Sequence, residues 1–486
     1  MTVVPFAPWE PDKAELNGQT TGDVLNVLCS TNSYLPFPDF VALSSALAAK
    51  PLGYFTARSL SGQVTIFAGT ATKLYKLNNT TLAWDDVSKS ATTYSANDTA
   101  QWCFEQFGEY VIAVNINDNP QVFQLGVSTL FDNLGGSPPK AAFVKAWGDF
   151  LCLMQLSTNA NRVHWSALND ITGWTVGTNS SDIQDFPEGG AVQGSSRSTN
   201  PIIMLERAIY LGTFVPGSSV VFTFVKIHDK RGAKSPYSIA SRGENTFFAD
   251  EGSFFQIASD GSIADIGFEK VSRTIFGQLA SSDIASMVGA VDPFFSRVYW
   301  TVDLAGAGVF GTILIYDWLQ QRWSMAQQDN YGIFPAATAG YTLEGLGALY
   351  PNLELVPYSL DSKVWQGGAP VLAAFDTTYK LGFFNGSNKL AKITTQEQGN
   401  LAGGVTLISS VGPVVDTNNF TIAIGSRFRR GDTVSYTGEI SPTSATGRCD
   451  KLNSARFQRV RLTIPAGETW TDAQGVDIDA YPDGER

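Results

Sequence analysis

The chain has 486 residues, 43% of them hydrophobic, which is enough for two or three domains with a large core that needs neither disulfides nor a metal. Charged residues make up only 16%, against roughly a quarter in ordinary soluble domains, so much of the surface is neutral polar or apolar, as on a protein covered by others. The formal net charge of −12 argues against a cationic track that grips nucleic-acid phosphates, although nucleic acid could still pass without being held.

Two short helices are expected first, over residues 23–29 and over 40–49 with Asp39 as N-cap. Strand signals then take over. Short runs rich in Val, Ile, Phe, Tyr and Thr are broken by Gly, Asn, Asp and Ser, and they recur as a strand, a turn and a second strand, often closed by an aromatic residue. Residues 64–69 lead to 73–77 and Trp84, 110–114 to 120–125 and Phe131, and 150–154 to 161–165 and Trp174. Residues 208–211 lead to 219–224 and 246–249 to 253–257; a short helix is expected over 281–287, and 297–301 leads to 313–316 and Trp323. The units start about 40 to 60 residues apart, the period range of propeller blades, and radial stacking would cover faces that no unit can bury alone. About six to eight blades fit this spacing. Unrelated hairpins in stacked sandwiches are the competing arrangement.

The last unit that fits ends near Trp365; beyond Pro370 the strands lengthen and alternate, as in Phe457 to Ile464, where Val460, Leu462 and Ile464 share one face and Arg459, Arg461 and Thr463 the other. The expected fold is therefore all-β: a β-propeller-like body of irregular blades over 51–370 and a C-terminal β-sandwich over 371–486. Residues 1–50 form an N-terminal extension that closes the propeller or contacts a neighbour.

The opening residues 1–9 have no basic start, apolar run or small-residue cleavage site, and no stretch approaches the roughly 18 apolar residues of a membrane span, so neither standard export nor membrane insertion is expected. Cys29, Cys103, Cys152 and Cys449 lie far apart and read as reduced thiols rather than a zinc site.

Catalytic signals are sparse. Only two histidines occur: His164 lies in an apolar strand and reads as a core residue, and His228 lies in a charged stretch and reads as a solvated one. The glycine pattern at 306–311 mimics a dinucleotide site but runs on into another strand instead of opening a helix, and reads as a hairpin loop. Carboxylate pairs remain, drawn from Asp182, Asp185, Glu188, Asp250 and Glu251, since a glycosidase needs only two acids across a pocket. Turn formation or solvation explains such acids as well. No catalytic, cofactor-binding or metal-ligating residue is assigned, no cofactor is expected, and no partner-binding residue can be named.

Several segments are similar to one family. FAGTATKLYKL at 67–77, FEQFGEYVIA at 104–113, PQVF at 120–123, VHWSALND at 163–170, DFPEGGAVQG at 185–194 and ERAIY at 206–210 stand in the same order as matching segments of the tail hub, or packaged-DNA stabilisation, proteins of short-tailed (podovirus-type) bacteriophages. The resemblance spans most of 50–275 and continues at 455–462 (ARFQRVRL). It implies a non-enzymatic virion protein, made in the host cytoplasm and built into the tail as a homo-oligomeric, hexameric ring. Such a ring would join the portal-adaptor protein to a tail fibre, tailspike or needle and help retain packaged double-stranded DNA, which passes without sequence-specific binding. The alternative is a propeller-fold tail protein that binds or degrades glycan, which would gather acids and aromatics at one channel mouth.

Overall fold

In the computed structural model, which describes residues 2–14, 16, 19–399 and 404–485, the apolar runs pair as antiparallel hairpins at tight turns. Gly108, for example, sits at φ 58° between Cys103–Phe107 and Tyr110–Val114, a left-handed position that costs glycine nothing. Seven four-stranded sheets result. Six take consecutive strands, within residues 54–86, 103–133, 141–185, 192–228, 240–265 and 288–330, here blades 1 to 6.

Blade 7 is discontinuous. Its first three strands are Gly332–Ala337, Pro370–Phe375 and Lys380–Asn388, and its outermost is Pro38–Ala46 from near the start of the chain. The first strand of each blade lies innermost, and all seven line a common axial cavity. The fold is a seven-bladed β-propeller.

The expected helix over 40–49 is thus a strand. Helical spacing of Phe40, Val41 and Leu43 yields to the backbone groups that the open edge of Lys380–Asn388 offers, with Phe40 opposite Phe384 and Val41 opposite Phe383. Gly382 and Gly386 leave room for that approach, since a side chain at either would meet the backbone at Val41 or Asp39. The expected helix over 23–29 is also wrong: Asp23–Leu25 and Val27–Cys29 are strands in different sheets, divided by Asn26 at φ 55°. The helix expected over 281–287 is present as Ser281–Ser286.

Two six-stranded sheets form a sandwich, and its membership corrects the boundary at 370. Pro370–Phe375 and Lys380–Asn388 belong to blade 7, while the sandwich combines residues 391–399 and 404–485 with four N-terminal strands, Thr2–Pro5, Asp23–Leu25, Val27–Cys29 and Tyr34–Pro36. Both ends of the described chain meet here, with Thr2–Pro5 antiparallel to Ala473–Glu485. In Phe457–Ile464, Val460, Leu462 and Ile464 are buried and Arg459, Arg461 and Thr463 half-buried.

The sandwich docks on Arg322–Asn330, the outer strand of blade 6. Asn26 accepts from Gln327 N (2.8 Å) and donates its backbone N–H to Met325 O (2.8 Å), the buried Arg322 donates to Ser30 O and Thr31 O (2.6 and 2.9 Å), and Cys29 Sγ donates to Trp323 O (3.0 Å). One apolar core runs from the seam of blades 5 and 6, through Trp300 and Trp323, into Tyr34, Ile422 and Val476 of the sandwich.

At the closing seam, Tyr54 of blade 1 stacks on Phe334 of blade 7 (centroids 4.5 Å apart), and Gly332 at φ 144° makes room for its hydroxyl. Gly332→Ala places a β-carbon where the Tyr54 hydroxyl lies and imposes a backbone conformation that alanine resists. It should lower unfolding stability by ~2–4 kcal/mol in urea denaturation, more than Gly243→Ala, where the added methyl meets nothing but the φ is again positive.

Candidate functional site: the axial channel

The innermost strands leave a cavity of about 310 Å³ on the propeller axis. Its walls carry Tyr54, Phe55, Trp102, Phe143, Tyr237 and Phe334, and Lys145 is the one charged residue among the described residues lining it. No carboxylate lines it. Glycoside hydrolysis by the usual two-acid route needs a pair across the pocket, so the channel lacks those groups.

Lys145 belongs to a charge cluster at one mouth. Glu105, its side chain only 3% exposed, has Lys145 Nζ at 3.3 Å and Arg197 Nε at 3.1 Å, drawing blades 2, 3 and 4 together. Burial is the largest influence on Lys145 and depresses its pKa, but the charge and hydrogen bond of Glu105 together with Cys103 outweigh it, and the net direction is upward. The ammonium is therefore favoured in the folded state, and the linked stability is present at neutral pH and lost only as alkali deprotonates the lysine. Beside the cluster, Gln106 accepts from Arg58 N (3.0 Å), donates to Arg58 O (2.7 Å) and accepts at its backbone carbonyl from Arg197 (3.3 Å). These polar groups face one another and join blades.

The cysteine thiols are held protonated. Cys103 lines the channel, yet burial pushes its thiol up despite nearby Lys145, and burial raises Cys29 and Cys449 to about 11. His164 is buried in blade 3, edge-on to Trp174 at 5.2 Å, with its pKa lowered by burial, whereas His228 lies on the outer strand of blade 4 with Nε2 3.3 Å from Gly261 O. The two rings sit on different blades and share no site.

The candidate acids are also dispersed. Asp185 forms a two-pronged pair with Arg162 (2.6 and 2.7 Å), which holds its carboxyl below the usual range, and Glu188 pairs with Lys226. Asp182 Oδ1 accepts from Ile183 N at 2.8 Å. Asp250 and Glu251 lie at a turn of blade 5, where burial raises the Asp250 pKa and Arg231 stands 3.8 Å away. None lines the channel. The glycine pattern at 306–311 lies in the connection between the antiparallel strands Arg297–Val302 and Phe310–Asp317, where the Asp303 carboxylate accepts from Ala307 N and Gly308 N (3.1 and 2.6 Å). Among the described residues, no three His, Cys, Asp or Glu side chains are placed to hold a metal ion, and no helix is long and apolar enough to cross a membrane.

Glu105, Lys145 and Arg197 were not singled out in the sequence. Their signal was a lone charge in, or just beyond, the first strand of consecutive blades, visible only once the blade register is known.

No protein-family model matches the chain, and neither does any curated protein. Among solved structures it is similar to YCF48 bound to D1 peptide (12% identity over 62% of this chain and 91% of that one, TM-score 0.37) and to the N-terminal domain of Nup159 (10%, 74% and 98%, TM-score 0.41). It is also similar to the computationally designed Ika8 protein (7%, 77% and 98%, TM-score 0.39). Likeness at this level concerns the fold alone.

Two outcomes are expected. Glu105→Gln leaves Lys145 and Arg197 without their counter-charge and should cost ~1–3 kcal/mol in urea denaturation, moderated because both cations reach solvent. For His164 the folded pKa lies below the ordinary 6.5, so its contribution is present above that pH and lost as pH falls through the folded value. Denaturation curves from neutral to mildly acid pH should show wild type losing stability faster than His164→Gln.

Proposed function

We propose that this chain is a structural tail-hub subunit of a short-tailed bacteriophage, one copy of a ring that joins the portal-adaptor to distal tail parts and helps retain packaged DNA. The observation that carries this reading is where apolar side chains stay exposed around the propeller. Leu343, Leu353 and Leu355 stand out on the insertion of blade 7, 58–74% exposed. Leu168, Val176, Val220 and Val225 stand out on blades 3 and 4, 48–61% exposed. Blades 3 and 4 are each three blades from blade 7, in opposite directions around the ring, so the two groups occupy opposed flanks. A subunit that closes into a ring head-to-tail needs two such distinct faces. Other exposed apolar residues, Leu60 on blade 1, Val127 and Leu130 on blade 2, Phe294, Phe295 and Leu319 on blade 6 and Phe428 on the sandwich, are available to a neighbouring copy or to other tail components.

The propeller alone names no assembly; the ordered segments of 67–210 supply that part of the reading. A glycan-degrading role has no acid pair in the channel to support it. In this reading the partners are other copies, the portal-adaptor and a fibre, spike or needle, and double-stranded DNA is passing cargo in the virion tail. Electron microscopy of the purified full chain, alone and with its neighbouring tail proteins, should show closed rings of about six copies. A protein that stays monomeric with every partner and cleaves a polysaccharide would overturn the proposal.

A further inference from the structure

One loop of blade 6 is built to hold two phenylalanines in solvent. Phe294 and Phe295, 59% and 50% exposed, sit edge-to-face at 4.9 Å between Val288–Val291 and Arg297–Val302. The buried Asp292 carboxylate accepts from both of their backbone N–H groups (2.8 Å each) and from Tyr299 Oη (2.9 Å). Arg242 of blade 5 donates to the carbonyls of Asp292, Phe294 and Phe295 (2.8, 3.3 and 2.5 Å). The Arg297 guanidinium lies 4.7 Å from the Phe295 ring, and Lys363 Nζ lies 5.2 Å from the Phe294 ring. A hairpin turn needs no phenylalanine. Rigid exposure of two rings lowers the ordering cost of docking, as at the aromatic anchors that dominate interfaces.

The rings form one wall of a groove of about 770 Å³ whose other parts include Phe37, Tyr299, Leu372 and Lys363. The same chain carries a projection suited to it. The insertion between Gly332–Ala337 and Pro370–Phe375 packs Leu346, Tyr358 and Trp365 into the apolar core that blades 7 and 1 share, and the Tyr358 hydroxyl donates to Val41 O. That core leaves the single turn Leu353–Leu355 outside, with Leu353 74% and Leu355 58% exposed and Glu354 between them. Glu354 and Lys363 are both exposed, and neither makes an ion pair with another described residue, so the turn and the groove each carry one charge without a counter-ion, of opposite sign; Asp292, Arg297 and Asp361 also line the groove.

We propose that the Leu353–Leu355 turn of one copy seats in the Phe294–Phe295 groove of a second copy, with Glu354 of one meeting Lys363 of the other. This rests on the self-assembly proposed above only in naming the occupant as a second copy.

Sedimentation velocity of the full chain up to about 100 µM, with circular dichroism to confirm folding, tests it. Phe294→Ser with Phe295→Ser, and separately Leu353→Ser with Leu355→Ser, should each weaken self-association by about tenfold or more. Glu354→Lys and Lys363→Glu should each weaken it singly, and the double reversal should restore it to within about threefold of wild type. A wild type that remains monomeric, an assembly indifferent to these variants, or single reversals that the double does not rescue would each overturn the inference. Rings that persist in every variant would leave the hub reading standing and place the contact on another face.

Discussion

The architecture depends on one act of strand pairing. Lys380–Asn388 presents an open edge, and Pro38–Ala46 returns from the start of the chain to fill it. A circle of blades has no partner for its last edge unless some distant segment supplies one, and an unpaired edge would both lose its ladder hydrogen bonds and invite other chains. Closure also fixes the closing seam, because Tyr54 finds its stacking partner Phe334 only when blade 7 lies beside blade 1. The same segment that closes the propeller continues backwards into the sandwich, so the two domains share a strap rather than a flexible linker.

Within the circle, three seams repeat one solution with different residues. An indole buries its rings between blades and places its N–H on a neighbour's acceptor: Trp102 on Thr70 O at 2.9 Å, Trp147 on Ser195 Oγ at 2.9 Å and Trp300 on Ser238 O at 3.2 Å. A large apolar surface supplies most of the attraction, and the single polar contact sets the angle at which blades meet. The Glu105 cluster does similar work at the channel mouth with charges in place of indoles. The axis is thereby held by contacts that run from blade to blade.

Local pattern made the blades readable and long-range pairing did not. Alternation and turn residues marked the hairpins of Val64–Gly69, Tyr110–Val114 and Phe150–Leu156, because those contacts lie within a few residues of each other. Phe40, Val41 and Leu43 have helical spacing, and only the edge 340 residues away makes them a strand. Asn26 looked like a mid-helix residue until its side chain was seen to span Leu390 O and Gln327 N. The boundary at 370 followed a change of composition at the blade 7 insertion, whereas the sheet itself continues to Asn388. The candidate acids were visible as residue types, but their dispersal over blades 3 and 5 and the connection between blades 3 and 4 depends on blade geometry.

The threading of Thr2–Pro5 against Ala473–Glu485 has a consequence for how the protein is made. On a ribosome the first four strands emerge long before residues 391–485 that complete their sheets, and Pro38–Ala46 must wait for Lys380–Asn388. Contacts of such high sequence separation fold slowly, because hundreds of residues of chain entropy are lost before the pairing rewards it. A nascent chain would carry unpaired sheet edges for most of its synthesis, so premature association between neighbouring chains is a hazard that this topology must outlast. A propeller that closed on its own consecutive strands could finish earlier; this one couples completion of the circle to the arrival of Lys380–Asn388, long after the strand that pairs with it.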